Sequence, residues 1–524
     1  MAGQSTLLKA ISTIGGFTMI SRVLGFVRDI LIASFLGAGM VADVFFVAFK
    51  LPNFFRRLFA EGAFNAGFVP LFSRIHQTDG DRSAREFAEQ ALSVLLLTLF
   101  ILVTVFQIFM PLVMTILAPG FQGDVAKFDL AVDLTRLTFP YLMFISLVSL
   151  MGGVLNSLGR FAAVAATPIL LNICLISALL VFAQHLPTPG HALAWGVAAA
   201  GAVQFVWLLL ALRKEGWHLK LRPPRLTPRV IELLKLMAPA AVGAGIVQIN
   251  LVIDIILASL LPEGSISYLF YADRLNQLPI GVVGVAVGTA LLPMLSRRIA
   301  AGDDAGAAHA LNRATEFSLL LALPAALALV VIAEPLISVL FERGAFDAQA
   351  SRATSFALMA YAFGLPAYVL VKVLTPGFFA RLDTRTPVRI ALIALAVNLV
   401  LNIALMIPLQ HAGLALATAI SAWVNVWLLY STLRRRGHFP VDARLAHRLR
   451  KTVVAATIMG AGLFFGHRQL LDWLAGDIST RIAALAILVL GGGILYGLAV
   501  QISGAARLGE LKSQLRGNGD SGTA

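Results

Sequence analysis

Cysteine is almost absent from this chain: Cys174 is the only one in 524 residues. An internal disulfide is excluded, and so is any thiolate metal centre. Cys174 lies in an apolar run, which makes it a small packing residue. Charge is scarce as well. Asp, Glu, Lys and Arg together make up 13% of the residues, against about 25% in ordinary soluble domains. There is no HExxH, no Cys/His metal spacing, no phosphate-binding glycine loop and no nucleophile elbow. Histidines such as His76, His185, His411 and His467 stand singly, as solvated loop residues. Long polar loops are missing too, so no extramembrane catalytic domain has room to form.

What is present is apolar: 59% of the chain is hydrophobic. That proportion exceeds what one soluble core can hide and requires lipid as solvent. Apolar runs of about 20 residues, the length of a bilayer-crossing helix, recur along the sequence. Fourteen spans are expected, near residues 11–36, 41–72, 88–117, 130–157, 162–183, 190–212, 236–261, 266–294, 314–341, 354–379, 388–408, 412–433, 452–466 and 482–502. The first span carries internal charges and no small-residue cleavage site follows it, so a cleaved signal peptide is not expected.

The net charge of +14 does not point to nucleic acid, because its distribution has a different cause. Basic residues crowd alternate loops: Arg74, Arg82 and Arg85; Arg160; residues 213–235; Arg297, Arg298 and Arg313; Arg381, Arg385 and Arg389; residues 434–451; and the tail from Arg507. The opposite loops hold few, chiefly Lys127, Arg343, Arg352, Arg468 and Arg481. This positive-inside alternation predicts both termini in the cytoplasm.

The sequence also repeats itself. DILIASFLG from Asp29 matches DIILASLLP from Asp254, 225 positions on. VPLFSRI from Val69 matches LPMLSRRI from Leu292, LAPGF at Leu117 parallels FERGAF at Phe341, and PILLNICLI near Pro168 resembles NLVLNIALM near Asn398. Six spans per repeat is an even number, so the two repeats share one orientation, a known transporter plan with the substrate site between the halves. The expected organisation is an all-α polytopic membrane protein: residues 1–215 as a first six-helix lobe, 216–235 as a cytoplasmic connection, 236–435 as a second lobe, 436–505 as two further helices, and 506–524 as a Gly- and Ser-rich tail predicted to be disordered.

The informative charges are those inside the spans. The first contains Arg22, Arg28 and Asp29; the second contains Asp43, Lys50, Arg56, Arg57 and Glu61. At a rise of ~1.5 Å per residue, Arg22 lies roughly 16 Å into its span, near the bilayer middle. Arg22 and Asp29 are seven positions apart and share a helix face, whereas Arg28 points about 120° away. Asp43, Lys50, Arg57 and Glu61 would form one stripe on a straight helix, which Pro52 is expected to bend. Ionised groups at such depth are costly and mark polar cavities or transport paths. A salt-bridge network pinning helices together is the alternative. Against it, Arg22, Arg28, Lys50, Arg56, Arg57, Arg274 and Lys372 outnumber Asp29, Asp43, Glu61, Asp254 and Asp273, and unpaired buried charge is expensive. A cationic surplus built from arginine suits an anionic substrate such as phosphate. In the second repeat, Val247 and Ile253 stand where Arg22 and Arg28 stand in the first, so the cationic site is carried mainly by the first repeat, with Arg274 from the second. Asn398 and Asn402, one helical turn apart, with Thr418 and Asp254, offer oxygen ligands to a hard monovalent cation; interhelical hydrogen bonding explains the same residues.

At these residues the chain resembles the MurJ (MviN) family of lipid II flippases, within the multidrug/oligosaccharidyl-lipid/polysaccharide exporter superfamily. The text that carries the resemblance is SRVLGFVRD at Ser21, GAGMVADVFFVAFKLPNFFRRLFAEGAF from Gly37, YADRLNQLP at Tyr271 and ARLDTRTP at Ala380. The resemblance extends over essentially the whole chain. It implies a V-shaped pair of six-helix lobes around a central cationic cavity, and two extra helices lining a groove for a polyprenyl tail. It implies movement of undecaprenyl-pyrophosphoryl disaccharide-pentapeptide from the cytoplasmic to the periplasmic leaflet of the bacterial inner membrane by alternating access, with no bond made or broken. The residues implied in transport are Arg22, Arg28, Asp43, Arg56 and Arg274, supported by Asp29, Lys50, Arg57, Glu61 and Asp273. No cofactor is implied beyond sodium coupling at Asp254, Asn398, Asn402 and Thr418, where Asn402 replaces a second carboxylate, or a bias from membrane potential. Lipid II, membrane lipid and the peptidoglycan synthesis machinery are the implied partners. A flippase for another polyprenyl-linked oligosaccharide and an ion-coupled drug exporter of the same superfamily are the alternatives; a drug/cation exporter calls for an anionic cavity instead.

Overall fold

The computed structural model describes residues 2–57 and 64–506, and all regular structure among them is helical. Glu61 and the tail from Arg507 lie outside the described residues. The chain divides into two compact units. The first, Met1–Ser267 with Arg343–Phe346, contains α1 (Ala2–Leu36), α2 (Met40–Phe55), α3 (Asn65–Ile108), α4 (Met110–Leu117), α5 (Val125–Thr138), α6 (Tyr141–Ser157), α7 (Phe161–Ala165), α8 (Thr167–Phe182), α9 (Pro189–Lys214) and α10 (Pro228–Ser259). The second, Tyr268–Glu342 with Asp347–Ala524, contains most of α11 (Ser265–Ala300), then α12 (Asp304–Val331), α13 (Ala333–Phe341), α14 (Ala348–Phe379), α15 (Arg385–Arg435), α16 (Ala443–Gln469), α17 (Leu471–Leu474) and α18 (Ile478–Ser503).

Helix covers the fourteen expected spans, apart from short breaks between elements and residues 58–63 of the second, which lie outside the described residues. Nine helical stretches among the described residues are long and apolar enough to cross a membrane by length and composition. Two of these stretches, α3 and α15, are interrupted, at Gly80 and at Gln410. Apolar side chains also turn outward, as Phe465, Leu490 and Ile494 do on α16 and α18; hydrocarbon is the solvent that makes this favourable.

The duplication is visible in the irregularities. The helix before α4 breaks at Phe109 (φ −93°, ψ 17°), and the helix before α13 breaks at Ile332 (φ −112°, ψ 29°). Downstream, Asp124 caps α5 by accepting from the Lys127 N–H, and Asp347 caps α14 by accepting from the Ala350 N–H. Such N-caps satisfy backbone donors that the first helical turn leaves open.

The first unit takes in α10 because α10 is pinned to α3. Arg74 pairs with Glu232 and Arg229 with Asp79, both at 2.7 Å. The connection between α9 and α10 is extended rather than helical. It is strapped to α3 by Glu89, which is buried and accepts from the Lys220 N–H at 3.0 Å and from the Arg222 guanidinium. In the second unit, Phe378, Leu374, Leu429 and Leu433 anchor a core shared by α11, α12, α14 and α15. The last helices join it through Met459, Leu463 and Leu488 packed on Ile332, and through Tyr496, whose hydroxyl donates to the Leu320 carbonyl.

Candidate functional site

The charged residues of α1 separate into a paired set and an open one. Arg28 is buried. Its Nε and Nη2 donate to Asp29 Oδ1 at 3.0 and 2.7 Å, and its Nη1 donates to Asn172 Oδ1 at 2.9 Å. Asn172 is fixed in turn, because its Nδ2 donates to the Ser21 carbonyl at 3.0 Å. α8 thus grips α1 through one asparagine. Arg22, two turns earlier on α1, is exposed and has no ion pair among the described residues.

Asp43 lies near the start of α2 and is 2% exposed. Its Oδ2 accepts from the Gly264 N–H at 2.8 Å; its Oδ1 accepts from the Ser267 N–H at 2.9 Å and from the Ser267 hydroxyl at 2.7 Å. The carboxylate therefore sits on the N-terminus of α11, where unpaired N–H groups and the helix dipole favour an anion. Lys127 Nζ approaches Asp43 Oδ2 at 3.6 Å and stands 4.6 Å from the centre of the Phe121 ring. A parallel contact comes from Glu263, which accepts from the Met40 N–H at 2.7 Å.

The adjoining turn is built on glycine. Gly37 has φ +64°, and a Cβ there would come within 2.4 Å of the Ala345 carbonyl oxygen. Gly344, at φ +59°, would place a Cβ 2.3 Å from the Ser34 carbonyl oxygen. With no side chain at either position, the Ala345 N–H donates to Ser34 O at 2.8 Å. Residues Arg343–Phe346 are thereby seated on the end of α1.

Along α2, Pro52 lacks the N–H that would bond the Ala48 carbonyl. Thr138 of α5 supplies the substitute donor, its hydroxyl reaching Ala48 O at 3.0 Å. Lys50 and Arg56 are half-buried and Arg57 is exposed, and none of the three is without a partner.

In the second unit, Arg274 is half-buried on α11 with its guanidinium 4.5 Å from the centre of the Phe270 ring, and Asp273 accepts a hydrogen bond from Gln277. Tyr271 between them is fully buried against Phe341, ring centres 5.3 Å apart. Asn402 Nδ2 donates to Asn398 Oδ1 at 3.0 Å, and Asn398 Nδ2 to Thr418 Oγ1 at 3.4 Å. The three candidate cation ligands of this unit therefore bond to one another. Asp254, half-buried on α10, belongs to the first unit. Among the described residues no group of three or more His, Cys, Asp or Glu side chains could hold a metal ion.

Sequence reasoning passed over Asn172, Lys127 and Ser267. Asn172 had a signal: a lone amide in PILLNICLI, at the position Asn402 occupies in the matching NLVLNIALM. Lys127 read as one of the sparse basic residues of an outer loop, and nothing local ties it to Asp43. Ser267 had no signal beyond following a Gly-containing turn.

The lipid II flippase MurJ family model matches residues 32–501. A probable lipid II flippase MurJ of Rhizobium meliloti (strain 1021) is 45% identical over 513 residues, covering 96% of this chain and 95% of that protein. The lipid II flippase MurJ of Burkholderia cenocepacia is 38% identical over 500 residues, covering 94% and 96%. A solved structure of lipid II flippase MurJ in an inward closed conformation superposes with a TM-score of 0.76 at 26% identity, covering 93% of this chain and 98% of that one. An inward-facing multidrug resistance MATE transporter of the MOP superfamily shares the fold, with a TM-score of 0.62 at 14% identity over 82% of this chain and 98% of its own. The chain is a multi-pass membrane protein and belongs to the lipid II flippase MurJ family.

Proposed function

We propose that this chain moves lipid II from the cytoplasmic to the periplasmic leaflet of the bacterial inner membrane by alternating access, with both termini in the cytoplasm. Arg22 is the residue that carries the reading: an exposed guanidinium with no ion pair among the described residues, in an apolar run whose expected bilayer crossing puts it near the middle. Such a group is costly in hydrocarbon and is retained where a polar ligand meets it. Guanidinium also matches the geometry of pyrophosphate oxygens, which accept bidentate hydrogen bonds. Arg56 and Arg274 are proposed as further headgroup contacts, and Arg28 and Asp43 as scaffold of the first unit. Two compact units supply the two bodies that an alternating-access cycle moves. The outward-facing apolar side chains of α16 and α18 offer the polyprenyl tail a hydrocarbon-like path, so headgroup and tail travel in different environments. Membrane potential would bias the cycle by about 2.3 kcal/mol per charge per 100 mV. A basic surplus does not suit the competing drug/cation exporter.

The test is reconstitution of the purified chain with labelled lipid II and a leaflet-specific accessibility assay. Wild-type protein should equilibrate the label across the bilayer, and Arg22→Ala should not. Equal rates for empty vesicles and for those containing the wild-type chain would overturn the proposal.

A further inference from the structure

The second unit contains a cavity of about 570 Å³ where α15 ends, lined by Tyr430, Arg434, Gly437, Pro440 and Val441. Arg434 is the penultimate residue of α15, where the helix leaves its apolar span and meets the depth of lipid headgroups. Its guanidinium makes a single long hydrogen bond, Nη1 to the Tyr430 hydroxyl at 3.4 Å, and no ion pair among the described residues. Several other arginines of this unit are occupied. Arg313, Arg444 and Arg448 surround Glu316, Arg381 pairs with Asp304 at 2.9 Å, and Arg436 pairs with Asp383 at 2.7 Å. Acids neutralise these arginines, whereas the cation on the cavity wall has no ion pair among the described residues.

The rest of the lining is as selective. No carboxylate lines the cavity. The Tyr430 ring stands edge-on to buried Phe439, centres 5.8 Å apart, which fixes its hydroxyl. Asn312 Nδ2 donates to the Pro440 carbonyl at 2.9 Å and holds the opposite wall. Pro440 and Val441 are exposed and apolar. A cation, a hydroxyl and an apolar wall at the edge of the hydrocarbon match the chemistry of a phosphodiester with acyl chains attached. Basic pockets at membrane-crossing helix ends take anionic headgroups in this way.

We propose that this cavity binds the phosphodiester of an anionic phospholipid. Arg434 donates to the phosphate oxygens, the Tyr430 hydroxyl donates alongside it, and Pro440 and Val441 cover the glycerol and first methylenes. Zwitterionic lipids are disfavoured, because their ammonium group finds no acid in the lining. None of its lining residues is among those proposed for lipid II.

The test uses the full chain in phosphatidylcholine nanodiscs doped with increasing phosphatidylglycerol, with retained lipid counted by native mass spectrometry. Arg434→Gln should weaken retention about tenfold, as expected for losing a hydrogen bond to a charged group, and Tyr430→Phe about threefold. Arg435→Gln removes an equal charge one residue away, outside the cavity lining, and should retain lipid as the wild type does. Undiminished retention by Arg434→Gln would overturn the proposal, as would equal losses for Arg434→Gln and Arg435→Gln, which mean diffuse surface charge. Displacement of the lipid by millimolar inorganic phosphate would overturn the lipid assignment in favour of free phosphate.

Discussion

Removing the Asp43 carboxylate should destabilise the first unit through Lys127. Asp43→Ala deletes the acceptor for two backbone N–H groups and one hydroxyl and strands the Lys127 ammonium, 9% exposed, 3.6 Å from where the charge was. Breaking a buried pair by removing one partner costs about 3–5 kcal/mol, and each orphaned buried donor about 1–3 kcal/mol. Water entering the gap would recover some of this, so a loss of about 4 kcal/mol is expected. Asp43→Asn keeps an acceptor for one N–H and loses only the charge, for about 2–3 kcal/mol. The stranded cation can be removed separately. Asp43→Asn with Lys127→Met should recover about 1–2 kcal/mol relative to Asp43→Asn alone, since replacing both members of a buried pair is far milder than replacing one. Denaturation of the purified chain in detergent measures the four corners of the cycle. Additive losses in the double variant would refute the coupling. Transport distinguishes the roles: if Asp43 acts through the scaffold, the double variant regains flipping along with stability, whereas a variant that is stable again but inactive would place Asp43 on the substrate.

Arg28→Ala should leave Asp29 and Asn172 without their shared partner and lower both stability and flipping, whereas Arg22→Ala should abolish flipping at wild-type stability; complementation of cells depleted of their own flippase, alongside membrane protein levels, reads the contrast. Gly37→Ala should weaken the seat of residues Arg343–Phe346, because its Cβ would fall 2.4 Å from Ala345 O at φ +64°; a left-handed alanine alone costs about 1–2 kcal/mol, seen as a lower unfolding temperature. Ile458→Lys and Leu490→Lys, on exposed positions of α16 and α18, should impair movement of long-chain lipid II while short-chain soluble analogues still bind; equal loss for both ligands would make these helices merely structural. Asp383 is held well below the usual carboxylate range by hydrogen bonds from Arg436 and Thr386. A depressed folded-state value stabilises above the unfolded pKa and is lost as pH falls through the folded one, so Asp383→Asn should lower stability at pH 7 and converge with wild type only in strong acid, well below pH ~4.

Run length and apolarity fixed where the helices are, because a bilayer dictates their length and excludes other backbone arrangements. The breaks at Phe109 and Ile332 were not expected within the spans 88–117 and 314–341, although LAPGF and FERGAF follow them at matching positions. Partner choice was much less legible. Asp29 and Arg28 are adjacent in sequence, yet adjacent residues on a helix point about 100° apart, and their pairing depends on Asn172 drawing the guanidinium across to α8. Asp43 meets Lys127 and Ser267, 84 and 224 positions away, and no periodicity carries information over such separations. The prolines of the strap across α3 suit extended chain but left an amphipathic helix open, and the anchor Glu89 reads in sequence as one more charge.

The paired and the unpaired charges within the spans call for different explanations. A pinning network predicts pairs at short distance and low exposure, and Arg28–Asp29 at 2.7 Å and Asp43–Lys127 at 3.6 Å fit it. The proposed ligand site calls for a cation without an ion pair, and Arg22 has none among the described residues. The arrangement is economical in physical terms. A guanidinium that must meet a pyrophosphate has to keep its donors free, so it cannot help hold its own helix. The helix is held instead by Arg28 six positions on, whose donors to Asp29 and Asn172 fix the α1–α8 contact. Asn172 also accepts no second role idly: by donating to the Ser21 carbonyl, it fixes the backbone immediately before Arg22. The paired charge thereby sets the position of the unpaired one, and a substitution at Asn172 should disturb headgroup binding without touching the headgroup.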